Sequence, residues 1–363
     1  MASIFKQLTS NDVASTKTLL HEAIPLTGTI VSGTYSDENI KNYAHDMFQS
    51  IYDYPYLSSS ANHIFDITFG YANSSTLSAS TNAENSKKIN IYNQMAQVLV
   101  GYDKTGSIQL FDADGDFVGT TDDKMKECIF FTFARLLTKD EIKKGSFSLE
   151  LGVKAAYDEA GALFDERIQI TDASGSNSYF VNSPVGEYGI LYATASAGAD
   201  ILKADQSYPV GLLYYQAGIA VLTASIFTGS VDSTGILAEG VESIMDSYGR
   251  NIDELLTGSF ISSSADGIRT RMYNVQYNNT VELNSTIYFC RANHNEFNYS
   301  ANPTYLSGST INVKDNATDP PLAYVTTIGL YSTDNQLLAV GKLSEPLRKD
   351  SSTELTLRAR LDY

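Results

Sequence analysis

The sequence predicts an α+β protein, with a small α-rich N-terminal region packed on a large, mostly antiparallel β region of sandwich or barrel-like form. Two observations carry this. Apolar residues recur with a period near 3.6 in several segments of the first hundred residues, and past residue 101 the period falls towards 2. No Pro-rich linker, internal repeat or heptad run interrupts the chain. The expected organisation is therefore residues 1–104 as the α-rich region and 105–363 as the β-rich region, with one helical island near 240–256. One domain or two both fit.

Taken in order, a short helix is expected after the cap Ser10-Asn11-Asp12, ending before Pro25. From Ser36 the chain reads cap, acids, then Ile40, Tyr43, Ala44, Met47, Phe48 and Ile51, a single apolar stripe that Pro55 stops. Residues 71–86 are almost wholly Ala, Asn, Ser and Thr, as in a mobile surface loop. Ile89, Tyr92, Met95, Ala96 and Leu99 then mark a helix from about Ser86 to Gly101. Strand signals follow. Residues 107–111 and 117–120 flank the turn Asp112-Ala113-Asp114-Gly115-Asp116. Residues 209–227 read as two buried strands around Gln216-Ala217-Gly218, since polar and glycine breaks argue against a membrane span. Val241, Ile244, Met245, Tyr248, Ile252 and Leu255 give the helical island. Val281, Leu283, Ile287 and Phe289 alternate with polar residues. Residues 324–331 and 336–343 make a hairpin about Ser332-Thr333-Asp334-Asn335. Leu355, Leu357, Ala359 and Leu361 complete a strand that ties the C-terminal residues into a sheet.

Composition excludes classes of function. The 363 residues carry 25 basic and 42 acidic side chains, a formal net charge of −17, which is no footprint for gripping nucleic acid or an anionic membrane. A hydrophobic content of 43% is too high for a disordered chain. Two cysteines, Cys128 and Cys290, cannot make a disulfide framework and suit a reducing compartment. The first residues lack the apolar core of a signal peptide, so the chain is expected to be soluble. Five Asn-x-Ser/Thr sequons, at Asn73, Asn278, Asn284, Asn298 and Asn316, then signify only a surface rich in short polar residues.

A search for catalytic chemistry returns little. Phosphate loops, dinucleotide fingerprints, zinc spacings and nucleophile elbows are all missing. His21, His45, His63 and His294 stand apart in the sequence, each without a nucleophile or ligand pattern beside it. Neither Asp122-Asp123 nor Asp253-Glu254 is arranged as a dyad by its spacing. No enzyme activity and no cofactor are therefore expected. Asp112, Asp114 and Asp116 imitate positions 1, 3 and 5 of a calcium loop. The match breaks at position 6, which is Phe117, and at position 12, which is Asp123 where a bidentate Glu belongs. A solvated hairpin turn is the expectation, with these three carboxylates the one candidate metal set. The segment 291–307 mixes flat aromatics with short amides, the composition of a protein-recognition loop. Asn293, Asn295, Phe297, Asn298, Tyr299 and Tyr305 are its candidate contact residues.

The C-terminal block, residues 319–343 (DPPLAYVTTIGLYSTDNQLLAVGKL) with the ending Leu357-Arg358-Ala359-Arg360-Leu361-Asp362-Tyr363, resembles structural proteins of tailed bacteriophages, especially large contractile-tailed ones. Its core, Ile328-Gly329-Leu330-Tyr331 followed by residues 334–340, is similar to a hairpin of tail-fibre baseplate-attachment regions. The stretches 3–13 and 21–28 fit the same resemblance. It implies a virion component of tail, baseplate or neck, made in the host cytoplasm and partnered by other virion proteins and copies of itself. It brings no catalytic residue. A particle-surface adhesin for a host receptor or glycan, and a capsid decoration protein, stand as alternatives.

Overall fold

The computed structural model describes residues 5–25, 37–117, 124–152, 167–195, 208–226, 256–258, 260–299, 306–307, 310–311, 318 and 321–363. The chain forms two compact units: Leu20–Val281, and Met1–Leu19 together with Glu282–Tyr363. The expected boundary near residue 104 lies inside the larger unit, because strand His63–Tyr71 pairs with Glu127–Phe133 through seven consecutive residue pairs across it.

The larger unit is built on an antiparallel sheet. From one end, the first part of strand Met272–Ala292 pairs with Ser148–Gly152, and that with Arg167–Thr171. Gly186–Ala195, Tyr208–Tyr214 and Ile219–Thr223 follow as an up-and-down meander. Glu127–Phe133, His63–Tyr71, Gln49–Tyr52 and Ile40–Asn42 complete the order. The middle strands run as near-continuous apolar sequence, such as Cys128-Ile129-Phe130-Phe131, because both faces of the sheet are covered.

Each face has its own cover. Helix Asn85–Leu99 lies on the face carrying Gly70 and Phe130. A Cβ added at Gly70 would fall 2.7 Å from the Lys88 carbonyl oxygen and 2.8 Å from the Tyr92 nitrogen, so glycine is what lets the helix approach. Tyr92 is buried there; its hydroxyl donates to the Met125 carbonyl at 2.7 Å and accepts from the Phe111 amide at 3.2 Å. On the opposite face Phe65, Phe131 and Phe133 form a run of rings. Phe133 stands 5.2 Å from Tyr277 and 5.7 Å from Phe147, residues from the far end of the strand order. The sheet therefore curls until its remote strands meet over this aromatic cluster.

A second helix, Ile261–Arg271, begins with no cap of its own. Its first amides donate instead to distant carboxylates, Ile261 to Glu84 at 3.1 Å and Ser262 to Asp46 at 3.2 Å. Anionic groups at a helix N-terminus satisfy the orphan N–H groups and favour the dipole.

In the smaller unit, the later part of strand Met272–Ala292 pairs with Leu355–Asp362 from Ser285↔Asp362 to Ala292↔Leu355. Strand Val13–Pro25 lies beside Met272–Ala292. Ion pairs Lys17–Glu282 at 2.5 Å, Arg291–Asp12 at 3.1 Å and Lys6–Glu296 at 2.6 Å line the same seam. Strands Leu322–Tyr331 and Leu337–Asp350 form a separate two-stranded hairpin.

The antiparallel β character is as expected, and so are helix Asn85–Leu99, the paired strands on either side of Gly218, the 324–343 hairpin and the last strand. The small α-rich N-terminal region is not. Residues expected as the first helix form strand Val13–Pro25, and the stripe from Ile40 to Ile51 forms strands Ile40–Asn42 and Gln49–Tyr52 around a turn. Ile51 faces Phe65 in the ladder, and pairing to that buried strand outweighs a merely amphipathic spacing. The strand expected at 107–111 is reduced to Phe111–Asp112 and pairs with Lys124–Met125, while the one expected at 117–120 lies, apart from Phe117, outside the described residues. Loop 71–86 is pinned, with Ser75 hydrogen-bonded to Glu127 and the Ala83 amide to the Thr257 carbonyl. The helical island at 240–256 lies, apart from Leu256, outside the described residues.

Gly70→Ala should destabilise the larger unit by about 1–3 kcal/mol, the usual cost of overpacking against backbone. Urea denaturation measures it, and an unchanged midpoint would disprove the close approach.

Candidate interaction surface

The hairpin Leu322–Tyr331/Leu337–Asp350 is sparsely covered along most of its length. No residue from 322 to 348 is buried. Tyr324 is 61% exposed, Leu338 68% and Val340 54%. The register shifts between Leu330, paired with Ala339, and Tyr331, paired with Leu337, which leaves Leu338 as an extra residue in the ladder. Tyr331 and Leu337 are exposed as well, so apolar side chains reach solvent from both strands. The tip is fixed by Asn335 in the left-handed region (φ 60°) and by the Ser332 amide donating to the Gln336 carbonyl at 2.9 Å. Phe5 packs on Tyr331 with ring centres 4.8 Å apart.

At its base the hairpin is held by charge. The fully buried Lys349 ammonium donates to Asn298 Oδ1 at 2.6 Å, the Asp350 carbonyl at 2.8 Å and the His294 carbonyl at 3.3 Å. Asp350 accepts from Thr353 Oγ1 at 2.6 Å and Ser352 Oγ at 2.7 Å, and Arg348 sits 3.1 Å away. Those hydroxyls, then Arg348, hold its carboxyl far below the usual carboxylate range. Glu296 is lowered likewise by Lys6, Asp362 by Ser285 and Arg360, and Asp12 by Thr9.

The recognition loop divides into two kinds of residue. Asn293, Asn295, Phe297 and Tyr299 are exposed, and Phe297 takes a left-handed backbone (φ 53°). Asn298 is instead buried as the acceptor for Lys349, so it is an internal fastening and not a contact residue. Tyr305 lies outside the described residues.

In the larger unit the structure adds company to a histidine that looked isolated. His63 Nε2 is 2.8 Å from Asp66 Oδ1, and Ser50 Oγ donates to the same oxygen at 2.5 Å. Serine, carboxylate and imidazole meet here, but the carboxylate stands between the other two. An activated nucleophile needs the imidazole in the middle, taking the serine proton, so this set is a hydrogen-bonded cluster at a strand pair. The Gln49–Tyr52 and His63–Tyr71 strands bring it together, a pairing with no local sequence signal. His21 and His45 lie off any helix: His21 Nδ1 contacts Thr280 Oγ1 at 3.1 Å, and His45 stacks on Tyr43. His294 is 3.4 Å from Glu354.

Asp112, Asp114 and Asp116 do converge. One oxygen from each lies within 4.8 Å of the others. Asp112 is buried and Lys124 pairs with it; burial pushes its carboxyl up, with Lys124 opposing the rise.

No described helix is long and apolar enough to cross a membrane. Compared with family models, curated proteins and solved structures, the chain matches none.

Asn298→Ala strips an acceptor from a buried ammonium and should cost the smaller unit about 1–3 kcal/mol. Asn295→Ala, at an exposed position, should stay within about 0.5 kcal/mol. Equal effects in urea denaturation would refute the division of the loop.

The lowered carboxyls also fix a pH dependence. A carboxyl whose folded pKa lies below its unfolded value stabilises the fold above the unfolded value, near pH 4, and loses that contribution as pH falls through the folded one. Hydrogen-exchange protection of strand Leu355–Asp362, corrected for intrinsic rates, should therefore decline below about pH 4. Asp350→Asn should flatten the decline, and an identical curve in that variant would contradict the assignment.

Proposed function

We propose that this chain is a non-enzymatic structural component of a tailed-bacteriophage virion, in the tail, baseplate or neck, joined to its neighbours through β-rich contacts. The observation that carries the assembly role is the hairpin Leu322–Tyr331/Leu337–Asp350. An isolated two-stranded hairpin is marginal in water, and the exposed apolar groups on both of its strands favour burial against other chains. The resemblance of residues 319–343 and 357–363 to phage structural proteins supplies the class of particle. Exposed Phe297 and Tyr299 offer further stiff contacts of the kind that interfaces use.

Mass spectrometry of purified particles should find this chain. The double variant Leu338→Asp, Val340→Asp should keep its circular dichroism and thermal unfolding, since both side chains are exposed, yet fail to enter particles. Particles lacking the chain, or incorporating the variant at the normal level, would overturn the proposal. Saturable binding of the isolated protein to host cells would favour an adhesin instead.

A further inference from the structure

We propose that Asp112, Asp114 and Asp116 bind a calcium ion, at a site independent of the assembly role. Calcium takes oxygen ligands at about 2.3–2.6 Å, so two ligands on opposite sides of one ion stand about 4.6–5.2 Å apart. Oxygens that all lie within 4.8 Å of one another therefore fit a single coordination shell. Proximity alone would not suffice, because acidic groups gather on many surfaces.

The second observation is Asp112 itself. Its side chain is 1% exposed, Lys124 Nζ pairs with Oδ2, and Oδ1 is buried with no hydrogen-bond partner. A carboxylate oxygen withdrawn from water and left unpaired costs free energy unless a positive charge meets it. Lys124 meets Oδ2 and leaves Oδ1 facing no donor. A divalent cation answers the open oxygen. The all-oxygen donor set selects a hard ion over zinc or copper, and calcium accepts an irregular set of oxygens where magnesium demands a strict octahedron.

The fold presents these groups from a fixed base. Phe111 is buried against Tyr92, and the Tyr188 hydroxyl donates to the Gly115 carbonyl at 3.0 Å. The Phe117 and Phe180 rings pack on Tyr188. Gly115 takes φ +72°, which a Cβ would strain. The sequence match to a calcium loop ends after position 5, so further ligands would come from outside that pattern.

Calcium titration of the chelator-treated full chain by calorimetry, with tyrosine-sensitised terbium luminescence as a second readout, tests the site. The chain has 24 Tyr and no Trp, so sensitisation must come through tyrosine. One ion per chain is expected, with a chelator-reversible rise in melting temperature. Asp114→Asn should weaken binding by about ten-fold or more. The exposed Asp116→Asn offers the same test at a second carboxylate of the set. No binding at about 1 mM calcium, or binding undiminished in both variants, would overturn the proposal.

Discussion

The larger unit depends on one constraint: its central strands are apolar on both sides, so both sides of the sheet must be closed to water. Helix Asn85–Leu99 closes one, at a distance that only Gly70 permits. Curling closes the other, by bringing Phe133 onto Phe147 and Tyr277. Charges drawn into this interior need individual partners. Lys88 donates to the Leu256 carbonyl, and burial takes its ammonium down to about 8. Arg271 donates to the Gly152 carbonyl and is pushed down to about 10 by burial. Asp172 accepts from the Gly145 and Phe147 amides, which anchors the segment that carries the Phe147 ring.

The smaller unit works by different physics. Its strands are mostly half-exposed, and its fastening is ionic and hydrogen-bonded: three lysine or arginine pairs along residues 5–19, a buried ammonium at Lys349, and hydroxyls around Asp350. Polar fastening tolerates exposure, because its groups are at home in water before and after a partner arrives. That suits a surface which offers Leu338 and Val340 to solvent. The net charge of −17 meanwhile keeps separate copies from collapsing on one another.

The C-terminal strands were legible because each is half-exposed, and exposure writes alternation into the sequence. Leu355 to Leu361 is the cleanest case, with Arg358 and Arg360 on the opposite side. The N-terminal strands were illegible for the converse reason. Gln49, Ser50 and Ile51 are all buried, so no alternation survives, and an accidental helical spacing from Ile40 to Ile51 takes its place. Helix Ile261–Arg271 is rich in Ser and contains Gly267, both poor helix formers. It starts on Glu84 and Asp46, a dependence no local window contains. Among the proposed contact residues, Asn298 looked like its neighbours because amide composition does not tell a fastening from a contact. The Asp112 cluster was visible as a spacing, but the buried oxygen that distinguishes it was not.

The seam between residues 5–19 and strand Met272–Ala292 has a consequence for the timing of synthesis. At roughly 5–20 residues per second, the first strand waits on the order of tens of seconds for its partner to leave the ribosome. Strands Ile40–Asn42 to Ile219–Thr223 are made long before that moment and can pair while translation continues. The smaller unit, and with it the exposed hairpin, can close only after the larger unit has been made. Through the synthesis of the larger unit the chain therefore carries no exposed hairpin.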